Sequence, residues 1–212
     1  MSYITVTTDT ELAAAISKAV GGDTVYLAPG SYTSLSLANK AYTTPVTFTS
    51  LDASRPAHID GISINNAQNA TLSHLDVGRA LKSTELDHTA LSQIRGSSNI
   101  TLDGLKLHGS LDGNPLNDGT LLTVAGSKGI TISNSEFTEA TRGATFGTSS
   151  NLTLLNNNVH MMRTDGFDFA SVQHVLVQGN RIGGFMIKAG DHPDAIQFWT
   201  SGTTVASSDI TI

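Results

Sequence analysis

The chain has 212 residues, 39% hydrophobic and 14% charged, with 20 glycines, no cysteine and a formal net charge of −6. That length accommodates one domain. The lack of cysteine excludes disulfides and thiolate metal sites, and the lack of any Lys/Arg run argues against nucleic acid, whose phosphates need clustered cations.

Residues Met1 to Val6 carry neither a basic segment nor a long apolar stretch, so no secretory signal peptide and no membrane span is legible. Thr8-Asp9-Thr10-Glu11 reads as a capping box, with Thr8 as N-cap. Leu12, Ile16 and Val20, with Ala13, Ala15 and Ala19, supply a stripe near helical period, and Gly21-Gly22 ends it. The spacing predicts an amphipathic helix over 8–22 that covers the open end of a core. Asp23 to Leu27 reads as the first strand and Ala28-Pro29-Gly30 as a turn.

A short pattern then recurs, starting at Asn69, Asn99, Gly129, Asn151, His174 and Asp209, with spacings of 30, 30, 22, 23 and 35 residues. Each copy alternates apolar and polar residues, as a half-buried strand does. Most run into a polar turn: Asp103-Gly104, Ser133-Asn134, Asn156-Asn157, Gln178-Gly179-Asn180. The same strand returns after one coil length, so like stacks on like in parallel. The expected fold is an all-β, right-handed parallel β-helix, a solenoid forming one domain over 1–212 with an N-terminal capping helix. Shorter spacings are bare coils, and longer ones carry inserted loops. The sequence stops at Ile212 inside a repeat. That end is expected to be truncated or uncapped, and an oligomer through it is possible.

A second strand aligns across three coils. Arg142-Gly143-Ala144-Thr145-Phe146 matches Asp165-Gly166-Phe167-Asp168-Phe169, which matches Asp194-Ala195-Ile196-Gln197-Phe198. Alternation turns the columns Ala144/Phe167/Ile196 and Phe146/Phe169/Phe198 inward. Thr145, Asp168 and Gln197 then point outward, and Gly143, Gly166 and Ala195 are expected beside them as a shallow floor for a sugar ring. Arg163, Asp165, Asp168, His192, Asp194 and Gln197 are expected to share one patch, with Arg142 beside it and Asp191 close by. Trp199 is the expected sugar platform.

Aspartates one coil apart lie about 5 Å from each other, which raises a pKa or recruits a cation. Asp165, Asp191 and Asp194 are the expected ligands if that cation is Ca²⁺. A turn aspartate bonded to its own backbone is the plainer alternative for each residue alone. His108 and His160 each fall nine residues after a repeat start, with Thr138 between. Both are candidate extensions of the patch, though they read first as exposed turn residues. His58, His74 and His88 read as structural. Asp112, Asn114, Asn117 and Asp118 lie in an inserted polar loop.

The repeat, the capping helix and Thr44-Pro45-Val46-Thr47-Phe48-Thr49 resemble the pectate-lyase-like β-helix superfamily over nearly the whole chain. Within it, Asp165-Gly166-Phe167-Asp168 resembles the active-site strand of secreted mannuronan C5-epimerases, a Tyr-Gly-Phe-Asp-Pro-His run. Only Gly166, Phe167 and Asp168 match; Asp165, Phe169 and Ala170 replace the Tyr, Pro and His. The resemblance implies an acidic, uronate-containing polysaccharide as partner and C5-proton abstraction as the shared first step of a lyase or epimerase. His192 is the expected proton-transfer group and Arg163, or Ca²⁺, the group that neutralises the uronate carboxylate. Asp168 is the third catalytic candidate. Arg142, Asp165, Asp194, Gln197, His160 and Trp199 are expected to bind substrate. Glycoside hydrolysis through Asp168 and Asp194 stays open. The alternative is a non-catalytic glycan binder of the phage tail-spike or adhesin kind. Either reading places the protein extracellularly or on a virion.

Overall fold

The computed structural model describes residues 1–212. Its strands form three parallel sheets, one of nine strands and two of seven, and each coil visits all three in turn. In one coil, Gln68–Ser73 lies in the first sheet, Asp76–Gly78 in the second and Ala90–Arg95 in the third. The chain then returns to the first sheet at Ser98–Asp103, in register on Gln68–Ser73. Every repeat start read from the sequence opens a first-sheet strand, and each start adopts the left-handed backbone, with φ between 52° and 67°. Asn and Asp tolerate that conformation best among residues with a side chain, because their short polar groups bond locally.

The corners explain the serines and asparagines. Where the third sheet turns into the first, the amide N–H groups of Ala67, Ser97 and Ser127 donate to the hydroxyls of Ser97, Ser127 and Ser149 in the next coil, at 3.1–3.2 Å. Where the first sheet turns into the second, the N–H groups of Leu105, Ser135 and Asn157 donate to Ser135, Asn157 and Asn180. These serines and Asn157 are buried. Each rung satisfies a backbone donor that has no strand partner.

The core is one continuous apolar cluster. The rings of Phe146, Phe169 and Phe198 stack at 4.9 Å centroid spacing, one coil apart.

The N-terminus differs from expectation in two ways. The helix spans Asp9–Lys18, with Thr8 capping the Glu11 N–H, and buries Leu12, Ala15 and Ile16. It ends before Gly21-Gly22, because Val20 N–H is drawn to the Asp23 carboxylate, leaving Val20 and Ala13 exposed. In addition, Tyr3–Val6 forms a strand parallel to Thr24–Leu27. Four residues with two polar neighbours carry too short an alternation to announce it.

Replacing Phe169 by Ala removes the middle ring of the stack. The expected cost is about 3–5 kcal/mol, read as a lowered urea midpoint with the sheet signal in circular dichroism retained below the transition.

Candidate functional site

The third sheet carries the aligned strands. Thr145 pairs with Asp168 and Asp168 with Gln197, and the inward phenylalanines register as the alternation requires. The outward row beside them is Ala125, Gly147, Ala170 and Trp199. This row, and not Gly143 and Gly166, forms the floor. Both glycines are buried: a Cβ at Gly143 would lie 2.4 Å from the Gly166 carbonyl oxygen, and one at Gly166 would lie 2.5 Å from that of Ala195 and 2.6 Å from Ile182 of the second sheet. They sit where the corner breaks alternation and the walls approach closest. A shallow depression of about 240 Å³ opens over Thr123, Thr145, Gly147, Arg142, Asp168, Ala170 and Trp199.

Six of the expected residues are joined there by polar contacts. Arg142 Nε and Nη2 donate to Asp165 at 3.1 and 2.9 Å, and Nε lies 2.6 Å from Asp168. Asp165 also accepts from the Asp194 N–H at 3.1 Å. Gln197 donates to Asp194 at 3.1 Å, and His192 Nδ1 lies 3.2 Å from the same carboxylate. Asp165 and Asp168 are each only 4% exposed, whereas Trp199 is 46% exposed. One oxygen of Asp168 and the amide oxygen of Gln197 are buried without a hydrogen-bond partner. Desolvation pushes the Asp168 carboxyl up to about 7, Arg142 pulling it down and the charges of Asp165 and Asp194 adding to the rise.

Arg163 and Asp191 stand outside this network. Arg163 grips both oxygens of Asp191 at 3.0 and 3.1 Å and reaches Asp87, in the loop 79–89, at 2.9 Å. The fork satisfies the guanidinium, so Arg142 replaces Arg163 as the cation of the patch. Asp191 also accepts from the Lys188 N–H. The expected Ca²⁺ trio is likewise corrected: Asp165, Asp191 and Asp194 are each spent on other partners, and their oxygens do not converge.

His160 registers with Thr138 and His108 on the second sheet, where it contacts Glu136 at 2.8 Å. It belongs to another wall and does not extend the patch. His108 is buried, not an exposed turn residue. In the loop 109–119, Asp118 is fully buried and accepts from the Ser110 N–H, and burial pushes its carboxyl up to about 6.

The family model for the right-handed β-helix region matches residues 60–192. The chain belongs to that family. Its fold is similar to that of PfbA, a surface adhesin of Streptococcus pneumoniae, with a TM-score of 0.64 and 16% identity over 96% of this chain and 65% of that one. This chain thus spans about two thirds of the adhesin's length. An alginate lyase from Paenibacillus sp. aligns with a TM-score of 0.39 and 14% identity over 100% and 99% of the two chains. A PL6 family polysaccharide lyase from Pseudopedobacter saltans aligns at 0.35 and 13%, over 98% of this chain and 77% of that one. At 16% identity the likeness to the adhesin is one of fold. No curated protein matches the chain. No helix is long and apolar enough to cross a membrane.

A carboxyl whose folded pKa is raised contributes stability below its unfolded value and loses it as pH rises through the folded one. Asp168 and Asp118 both act in this sense, from model values of 3.8 to about 7 and about 6. Asp76 and Asp52, both lowered to about 2, act oppositely and lose their contribution below pH 4. The urea midpoint is therefore expected to peak near pH 4–5 and to fall towards pH 8. Asp168→Asn is expected to flatten the upper part of that fall.

Proposed function

We propose that the third-sheet face is a polysaccharide site at which Asp168 transfers a proton. The observation that carries this reading is a carboxylate almost wholly buried, with one unpartnered oxygen and a pKa raised to about 7, lining an open depression beside an exposed tryptophan. A base is most effective with its pKa near the working pH. The row of small residues leaves room for a flat ring, and Trp199 offers an apolar platform for its face.

The substrate class we infer is a uronate-containing polysaccharide. Arg142 Nη1 makes no hydrogen bond within the protein, so the guanidinium keeps a donor for a substrate carboxylate. Neutralising that carboxylate acidifies the C5 proton, and ionised Asp168 would take it. Expulsion of the C4 oxygen then gives a lyase product, and reprotonation on the other face gives an epimer. His192, tethered to Asp194 and exposed, would return a proton from solvent. Such a substrate agrees with an extracellular or virion location. The second reading, glycan binding without turnover, is favoured by the shallowness of the face, and the fold likeness to a surface adhesin accords with it.

Incubation in D₂O with alginate, pectate and glycosaminoglycans tests proton abstraction for both outcomes: an epimerase leaves deuterium at C5, and a lyase leaves a C4=C5 double bond read by its ultraviolet absorbance. One of these two signals on one glycan, lowered about 10²–10⁴-fold in Asp168→Asn, is the expected result. The rate should rise with pH through about 7, since the base must be ionised. Retained glycan binding with neither deuterium uptake nor unsaturated product, lost in Trp199→Ala, would establish the binding module instead.

A further inference from the structure

We propose that His58, Asp76 and His108 on the second sheet bind a divalent transition metal such as Zn²⁺, with one coordination position left to solvent.

Three neighbouring coils supply the donors. His58 pairs in register with Asp76, and His108 lies on the next strand, opposite Gly78. His58 Nδ1 is 2.8 Å from one Asp76 oxygen and His108 Nε2 is 3.3 Å from the other. The two imidazoles stack with centroids 5.8 Å apart. One donor atom from each residue falls within 4.8 Å of the others, and no other set of three His, Asp or Glu side chains in the chain does so. Two imidazoles and a carboxylate are a donor set suited to zinc, which places them about 2.0–2.2 Å from the ion. Calcium prefers oxygen ligands alone.

The surroundings prepare both rings. His108 Nδ1 contacts the Gly109 carbonyl at 2.7 Å, so that nitrogen carries the proton and Nε2 presents its lone pair. That Nε2 is buried and has no hydrogen-bond partner. A lone pair facing a carboxylate oxygen is repulsive unless a proton or a metal cation stands between them. On the other ring, His58 Nε2 lies 3.5 Å from Asp60, leaving Nδ1 to face Asp76. Metal-binding histidines are typically oriented this way, the distal nitrogen donating to a carbonyl or carboxylate. Gly78 makes room for the arrangement: a Cβ there would lie 1.9 Å from the His108 carbonyl oxygen and 2.9 Å from its Nδ1. Asp60 and Asp76 supply the negative charge that a dication needs, against Lys106 in the next coil. His58 and Asp76 are partly exposed while His108 is buried, so the ion would enter from solvent and keep a water on that side.

The test titrates Zn²⁺ into the chelator-treated full chain against a chromophoric chelator, with Co²⁺ absorbance reporting geometry. One Zn²⁺ per chain and tetrahedral Co²⁺ bands are expected. Asp60→Asn should weaken binding about 10–100-fold, as loss of an outer partner does, and His58→Ala and Asp76→Asn should weaken it more. His192→Ala should leave it unchanged. Because His108 is packed in the wall and its loss threatens the fold, the rim residue His58 carries the test, with circular dichroism confirming an intact sheet. Absence of binding at about 100 μM Zn²⁺, a Co²⁺ spectrum like that of the aqueous ion, or affinity that survives both His58→Ala and Asp76→Asn would overturn the proposal. In those cases the triad is a hydrogen-bonded tie between coils.

Discussion

A coil that climbs by one strand spacing leaves backbone donors stranded at its corners, and the structure depends on how those donors are met. Ser97, Ser127 and Ser149 at one corner, and Ser135, Asn157 and Asn180 at another, each reach down to the N–H of the coil below. A rung of this kind is worth only about 0.5–1.5 kcal/mol net. Its absence, however, strands a buried donor, so coils that stack out of register are penalised at every turn. Register at the corners fixes register along the walls, and from it follow the phenylalanine stack inside and the row Thr145, Asp168, Gln197 outside.

The same stacking creates the electrostatics of the site. Residues at equivalent positions sit about 4.8 Å apart whatever their charge, so acidic groups in adjacent coils repel. Arg142 answers for two aspartates of the next coil. Asp165 receives both of its directed hydrogen bonds and Asp168 a single close approach from Nε, so desolvation outweighs the guanidinium at Asp168. Two aspartates three residues apart thereby differ in their bonding: Asp165 is held by Arg142, whereas Asp168 keeps an unpartnered oxygen. Their difference comes from which oxygen the guanidinium can reach.

Much of this was legible in the sequence. The third-sheet register follows from alternation plus phenylalanines returning at coil length, and it holds residue for residue. The misreadings cluster at corners, where period-two alternation stops. Gly143 and Gly166 turn inward there because the walls converge. Arg163 and Arg142 are both placed near the patch by spacing, and only three-dimensional reach assigns one to Asp165 and the other to Asp191 and Asp87. His58 reads as structural in the sequence because six extra residues between Thr49 and His58, relative to Ser73 and Asp76, hide its alignment with Asp76 and His108. The pairing His108–Thr138–His160 was visible, but burial of the first ring was not, since it depends on His58 and Asp76 of neighbouring coils packing against it.

The Arg163 clasp has a consequence for how the molecule comes apart. In a solenoid each repeat touches only its neighbours, so unfolding can fray inward from an end, one layer at a time. Arg163 joins the loop after one coil to Asp87, 76 residues earlier and several layers away, while its other nitrogens hold Asp191 in the turn beyond. This tie bypasses the intervening layers. A zipper-like array thus acquires a cross-brace, and the layers between residues 87 and 191 gain a reason to melt together.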